Sequence, residues 1–295
     1  MEYSNILFAR VSIPHFYCEN EDQDGGYGSS RSGSRLNRSI ALFRCIESLR
    51  GLRRRSQDLT LDLVDRSAQY TPPLAMQSSP PLTEVELHLH VTGSHYLDDV
   101  LALLEPSIHL HHHDLEDSRQ LALVARDYLL SHPQPMDLNL YLEDDLVIHD
   151  QWFFEKILWM AEQSDQRCVL LPHRYELLRT PGAPPRLFVD GHIDPDEIVG
   201  WHQHSVNVAQ GSFHGMDDLS FDAPVNPHAG CFAVSRLQQE FLRSKTLPVQ
   251  GFVGPLETAA TFTVGRFFTI LKPALANRDF LTIEHAHPSF LGYVN

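Results

Sequence analysis

The segment that most restricts how this chain can fold runs from Asp137 to Met160, DLNLYLEDDLVIHDQWFFEKILWM. Leu138, Leu140 and Leu142 alternate as a strand does, and three consecutive carboxylates, Glu143, Asp144 and Asp145, follow at its end. Leu146-Val147-Ile148 and an aromatic stretch of helical character over 152–161 come next. Adjoining carboxylates at the end of a strand repel one another unless a cation or protons neutralise them. In open α/β sheets ligands bind at the carboxyl ends of the strands. Hard oxygen ligands suit Mg²⁺ or Mn²⁺, and either ion can bridge carboxylate and diphosphate. A solvated acidic turn is the plain alternative.

The rest of the chain supplies elements for such a sheet. The run from Ile6 to Ala9, continued by Val11-Ser12-Ile13-Pro14, reads as a buried strand stopped by proline. A polar stretch from Glu19 to Ser34, with DGGYGSSRSGS at its centre, reads as a loop. Leu36, Ile40, Leu42, Phe43, Ile46, Leu49 and Leu52 recur at helical spacing, and Arg53-Arg54-Arg55 suits the negative end of that helix. After a Pro- and Ser-rich connection over 70–81, VELHLHV at 85–91 has the period of a strand. A short strand at 109–113, a helix at 119–130 and a strand at 168–171 complete an alternation that predicts a largely parallel sheet. The stretch from Arg179 to Phe221 is rich in Gly, Pro, Asp and His and reads as irregular, a wall for an acceptor.

Composition narrows the function. The 295 residues, 42% of them hydrophobic, suffice for one large α/β domain. With 23 Lys and Arg against 38 Asp and Glu the formal charge is −15, which argues against a nucleic-acid or anionic-lipid partner. Cys18, Cys45, Cys168 and Cys231 form no CxxC pair and read as reduced thiols. With neither a signal-peptide pattern nor an apolar run long enough to span a bilayer, a cytoplasmic protein is expected. GGYGSSRSGS matches neither GxGxxG nor GxxxxGK[ST], and GxSxG and HExxH do not occur.

The strand, the EDD triplet and the aromatic helix together resemble the DxD-type motif of GT-A glycosyltransferases, family 2-like. That resemblance implies a single α/β domain with a mixed, mostly parallel central sheet flanked by helices. A nucleotide-binding half (1–145) would be followed by an acceptor-binding half (146–295). It implies a metal-dependent transfer of a sugar from a nucleotide-sugar donor to a hydroxyl-bearing acceptor, which attacks the anomeric carbon with inversion. Carried over, the first strand with Ile13 and Pro14 forms the nucleotide floor, and Arg126 contacts the donor. Asp145 binds Mn²⁺ or Mg²⁺, and Glu143 or Asp144 binds the ribose or the donor sugar. NPHAGCFAVSR at 226–236, with Gly230, resembles the segment beneath donor and acceptor, and GPLET at 254–258 resembles the one that supplies the base, here Glu257. Glu257 also reads as an ordinary helix-start glutamate after Gly-Pro.

Other residues add to this picture from their own chemistry. Arg35 and Arg38 lie near the positive end of a helix and suit phosphate oxygens. Of 18 histidines, His285 and His287 stand two apart, on one side of an extended segment, and either could reach the metal. His202 and His204 share that spacing. Neighbours in the run His111-His112-His113 must point to opposite faces of a strand, so the run does not converge on one ion. Two other functions use such a site: a sugar-phosphate nucleotidyltransferase, and a non-catalytic metal- or glycan-binding protein.

Overall fold

In the computed structural model, which describes residues 6–19, 33–75, 80–194 and 204–294, the first strand lies inside the main sheet. Its sequence explains why: ILFARVSIP is apolar enough to be covered on both faces, and β1 (Ile6–Pro14) is buried along most of its length. The chain continues through α1 (Arg35–Gly51), a hairpin of β2 (Leu59–Asp62) and β3 (Ser67–Tyr70), β4 (Leu82–Thr92), α2 (Asp98–Leu104) and β5 (His109–His113). Then come α3 (Leu121–Ser131), β6 (Leu138–Leu142), β7 (Leu146–Val147), α4 (Phe153–Gln163), β8 (Cys168–Leu170), β9 (His173–Leu177) and β10 (Arg186–Phe188). The remaining elements are β11 (Ser205–Phe213), β12 (Met216–Ala223), β13 (Cys231–Ser235), α5 (Arg236–Arg243), α6 (Pro255–Glu257), α7 (Thr263–Gly265), β14 (Thr269–Pro273) and β15 (Thr282–His285). A π-helical turn, Thr258–Phe262, joins α6 to α7.

The fold is α/β, with a mixed, mostly parallel central sheet flanked by helices. Its strand order is β13-β6-β1-β4-β5; β6, β1, β4 and β5 are parallel, and β13 is an antiparallel edge. From β1 the chain steps outward to β4 and β5, and α3 then returns it to β6 on the other side of β1. The direction of winding therefore reverses between β1 and β6, which opens a crevice beyond their carboxyl ends. Two smaller sheets, β10-β9-β15-β7 and β11-β12-β14-β8, pack beyond it. Antiparallel pairing of β15 with β7, His285 opposite Leu146, draws the late strand against the loop that leaves β6.

Helix α1 covers the sheet with one stripe, Ala41, Leu42, Cys45, Ile46 and Leu49, and Arg38 lies on that same stripe a turn earlier. The four cysteines are free thiols. Among the described residues no helix is long and apolar enough to cross a membrane.

The expectation of an irregular stretch from Arg179 to Phe221 is corrected by β10, β11 and β12, which lie within it or begin in it. Of these strands β12 alternates, burying Leu219, Phe221 and Ala223, whereas β11 is exposed at most positions on both faces. Trp201, His202 and the centre of the glycine-rich stretch lie outside the described residues. The run 109–113 is a strand, and its histidines divide as the pleat requires. His109, His111 and His113 stack with His88 and His90 of β4, whereas His112 meets Tyr96.

Candidate functional site

The three carboxylates leave β6 at the crevice between β1 and β6, and all three are more than nine-tenths buried. The main chain fixes them first. Glu143 N–H donates to Gly230 O (3.0 Å), and Asp145 O accepts from Ala286 N–H (2.8 Å). Side chains from four other segments then close around the cluster.

Arg38 reaches in from α1 and bridges two of the acids. Its Nη2 donates to Asp144 Oδ1 and Oδ2 at 2.6 and 2.7 Å, and its Nη1 to Asp145 Oδ2 at 2.9 Å. His15, the residue after β1, meets Asp144 Oδ2 through Nδ1 at 2.5 Å. Its Nε2 accepts the Leu97 N–H at 3.1 Å, so the ring proton belongs on Nδ1, facing Asp144. His285, at the end of β15, lies between Asp145 Oδ2 (3.4 Å) and Glu176 Oε1 (2.8 Å). Arg174 of β9 stands 4.0 Å from Glu143 Oε2 and is anchored on Asp190 at 2.8 Å.

These neighbours set the protonation of the cluster. Burial opposes ionisation of Asp144 and Asp145. At Asp144, Arg38 and His15 outweigh it; at Asp145, His285 and Arg38 do, and both acids are held below the usual carboxylate range. Glu143 is different: burial pushes it up to about 8, Arg174 opposing and the charges of Asp145 and Glu257 adding. Burial lowers His285, but Asp145 and Glu176 raise it to about 9, so it is an imidazolium at neutral pH. Arg38 and His285 thus offset Asp144 and Asp145, and Glu143 carries its proton.

Of the residues expected from sequence, the structure gathers Arg38, Glu143, Asp144, Asp145, Gly230 and His285. His287 is half-buried and feels the charges of Arg38, Asp145 and Asp144. Glu257 lies close enough for its charge to raise both Glu143 and Tyr141. Ile13 and Pro14 end β1 immediately before His15 and are buried. Two arginines are committed elsewhere. Arg35 pairs with Asp99 at 2.7 Å, and the buried Arg126 is spent on Asp127, Pro248 O and Thr263, which leaves neither turned toward the carboxylates. The two late histidines also separate. Both nitrogens of His285 face carboxylates, which favours the imidazolium. His287 is held below its ordinary value by burial and Arg38.

His15, Arg174 and Glu176 join the site without having been expected there. His15 had a readable signal, since it follows the proline that stops β1 and parallel neighbours end at the same edge of a sheet. Arg174 and Glu176 had none, because only the pairing of β15 with β9 brings them near.

Buried oxygens without a hydrogen-bond partner mark where a ligand would be received: Glu143 Oε1, Asp145 Oδ1 and Glu257 Oε2. Hard, unpaired carboxylate oxygens of this kind fit Mg²⁺ or Mn²⁺ in donor type. Arg38 and His285 hold the other contacts, and among the described residues no three His, Cys, Asp or Glu side chains stand together as a ready metal cage.

Fold and site together define an α/β protein with a charge-compensated carboxylate site at a sheet switch point. No family model matches the chain, and no curated protein matches it. Among solved structures it is similar to the mannose-1-phosphate geranyltransferase from Thermus thermophilus, with 11% sequence identity and a TM-score of 0.31. That likeness covers 68% of this chain and 61% of the other, so the chain spans less than two thirds of that protein's length.

Proposed function

We propose that this chain is a transferase acting on nucleotide-sugars, which binds the donor in the crevice between β1 and β6 and passes the sugar to a hydroxyl-bearing acceptor. The observation that supports this reading is the buried Glu143-Asp144-Asp145 cluster at the carboxyl end of β6, with unpartnered oxygens on Glu143 and Asp145 and its counter-charges from Arg38 and His285. In the transfer, the acceptor oxygen bonds to the anomeric carbon, the bond from that carbon to the diphosphate breaks, and the acceptor's proton leaves to a base. Glu257, with Oε2 buried and unpartnered, is the base in this reading. Glu143, protonated at neutral pH, donates a hydrogen bond to the sugar. Arg38 binds diphosphate oxygens through its planar fork.

Asp145, through Oδ1, and His287 would hold a divalent cation, which when bound neutralises charge on the diphosphate leaving group. The donor side then falls in 1–145 and the acceptor side in 146–295. A sugar-phosphate nucleotidyltransferase is the second reading. It is favoured by Arg38, which follows the glycine-rich stretch after β1 and reaches the carboxylates as a phosphate-binding arginine would.

A thermal-shift panel of nucleoside diphosphates and nucleotide-sugars, with and without Mn²⁺, on wild type and Asp145→Ala tests the site. Stabilisation that needs metal and disappears in the variant is expected, because only ligands of the native state raise stability. Pyrophosphate released from a nucleoside triphosphate and a sugar phosphate would select the second reading. A folded protein that no nucleotide stabilises would overturn both.

A further inference from the structure

We infer that Arg38 is a displaceable latch: it keeps a divalent cation off Asp145 until a diphosphate arrives to take the guanidinium. The inference rests on the proposed donor site and adds an order of events to it.

Three observations carry it. Arg38 is almost fully buried and grips Asp145 Oδ2 at 2.9 Å while its other amino group holds both oxygens of Asp144. The second oxygen of Asp145, Oδ1, is buried and has no partner. Arg38 Nε is buried without a partner too, so the guanidinium has a donor to spare. A dication on Asp145 and a guanidinium bonded to the same carboxylate repel each other at close range in a poorly solvated site. The two occupants therefore exclude each other unless Arg38 turns aside.

Turning aside in the absence of an anion would leave a buried guanidinium short of acceptors, which is costly. A diphosphate changes that balance, because its oxygens give the fork a new bidentate partner. Metal and diphosphate consequently favour each other's binding through Arg38, and the coupling is reciprocal.

The test is Mn²⁺ affinity of the purified full chain, read from the electron paramagnetic resonance of free Mn²⁺. It is measured alone and with UDP or GDP, with ligand-only solutions as controls. In wild type, Mn²⁺ alone binds weakly and either nucleotide that binds tightens it. In Arg38→Met, Mn²⁺ alone binds about tenfold tighter, a typical size for such coupling, and the nucleotide no longer improves it. Arg38→Lys, which keeps the charge, leaves Mn²⁺ alone as weak as in wild type.

If Arg38→Met proves unfolded by circular dichroism, Arg38→Met/Asp144→Asn removes one charge of each sign and takes the same test with the same expectation. Wild type that binds Mn²⁺ and nucleotide together, beside an Arg38→Met protein no tighter for Mn²⁺ alone, would sink the latch and leave the donor site standing. Absence of Mn²⁺ and nucleotide binding in every folded variant would overturn both.

Discussion

A methyl group at Gly230 would lie 2.8 Å from Glu143 Oε2 and 2.9 Å from Leu146 Cδ1, and the backbone there has φ +63°, so space and conformation both call for glycine. Gly230→Ala is expected to destabilise the fold by about 2–4 kcal/mol, combining overpacking with left-handed strain, as read from urea unfolding. His285→Gln removes the cation between Asp145 and Glu176 and should cost about 2 kcal/mol, because Asp145 then keeps only Arg38 and Glu176 only the backbone N–H groups of Ser289 and Phe290. A loss below about 0.5 kcal/mol would mean that water reaches those acids freely, as at exposed pairs. At this scale the sequence announced the acids better than their partners. The triplet is contiguous and ends an alternating strand, whereas its cations come from residues 38 and 285. Arg38 was expected to bind phosphate, with no hint that it would bridge Asp144 and Asp145; its place on the buried stripe of α1 is the clue that went unused.

The elements with a buried face were legible from their spacing: β1, α1, β4, α3, β6 and α4 all fall where the apolar pattern puts them. Those without one were not. In the hairpin β2–β3 and in β11 the alternation, Leu59 with Leu61 and Val206 with Val208, is only two apolar residues long and those side chains stand exposed, so it is too short to mark a half-buried strand. The pairing of β4 with β5 builds something no single strand could show. His88 Nδ1 meets His111 Nε2 at 3.0 Å, His90 Nδ1 meets His113 Nε2 at 3.0 Å, and Tyr128 of α3 caps the stack, its hydroxyl 2.9 Å from His88. Burial and the neighbouring imidazoles lower His88 to about 4 and His90 to about 3, below the ordinary 6.5; Glu86 pulls His88 the other way. The unfolded chain therefore takes up protons below pH 6.5 that the folded chain refuses. The pair's contribution is full above that pH, falls as pH drops through the interval, and levels off below about 3. At pH 5 the pair should cost on the order of 2–3 kcal/mol after solvent screening. Glu143 and His285, both raised, act in the opposite sense over the same interval, so the pair is read from the change in the pH 7.5-to-5 difference in urea midpoint between wild type and His90→Leu; no change would assign the acid sensitivity elsewhere.

Across the whole molecule, the site is assembled from both ends of the fold. His15 and Arg38 arrive with the first strand and helix, the acids with β6, and His285 only when β15 has paired with β7 and β9. Such pairings close long loops and form late. In pulse-labelled refolding, the Ala286 amide, which donates to Asp145 O, should gain protection after the amides joining β1 to β4. Simultaneous protection would point to a single concerted step. The same geometry bears on synthesis. On a ribosome, the carboxylates after β6 emerge long before His285 does, and in that interval Arg38 and His15 alone face Asp144 and Asp145. A half-made chain carries excess negative charge at the place that must become dry interior, and burying it is unfavourable. The cluster is thus expected to oppose premature compaction until the last strand of its sheet delivers His285.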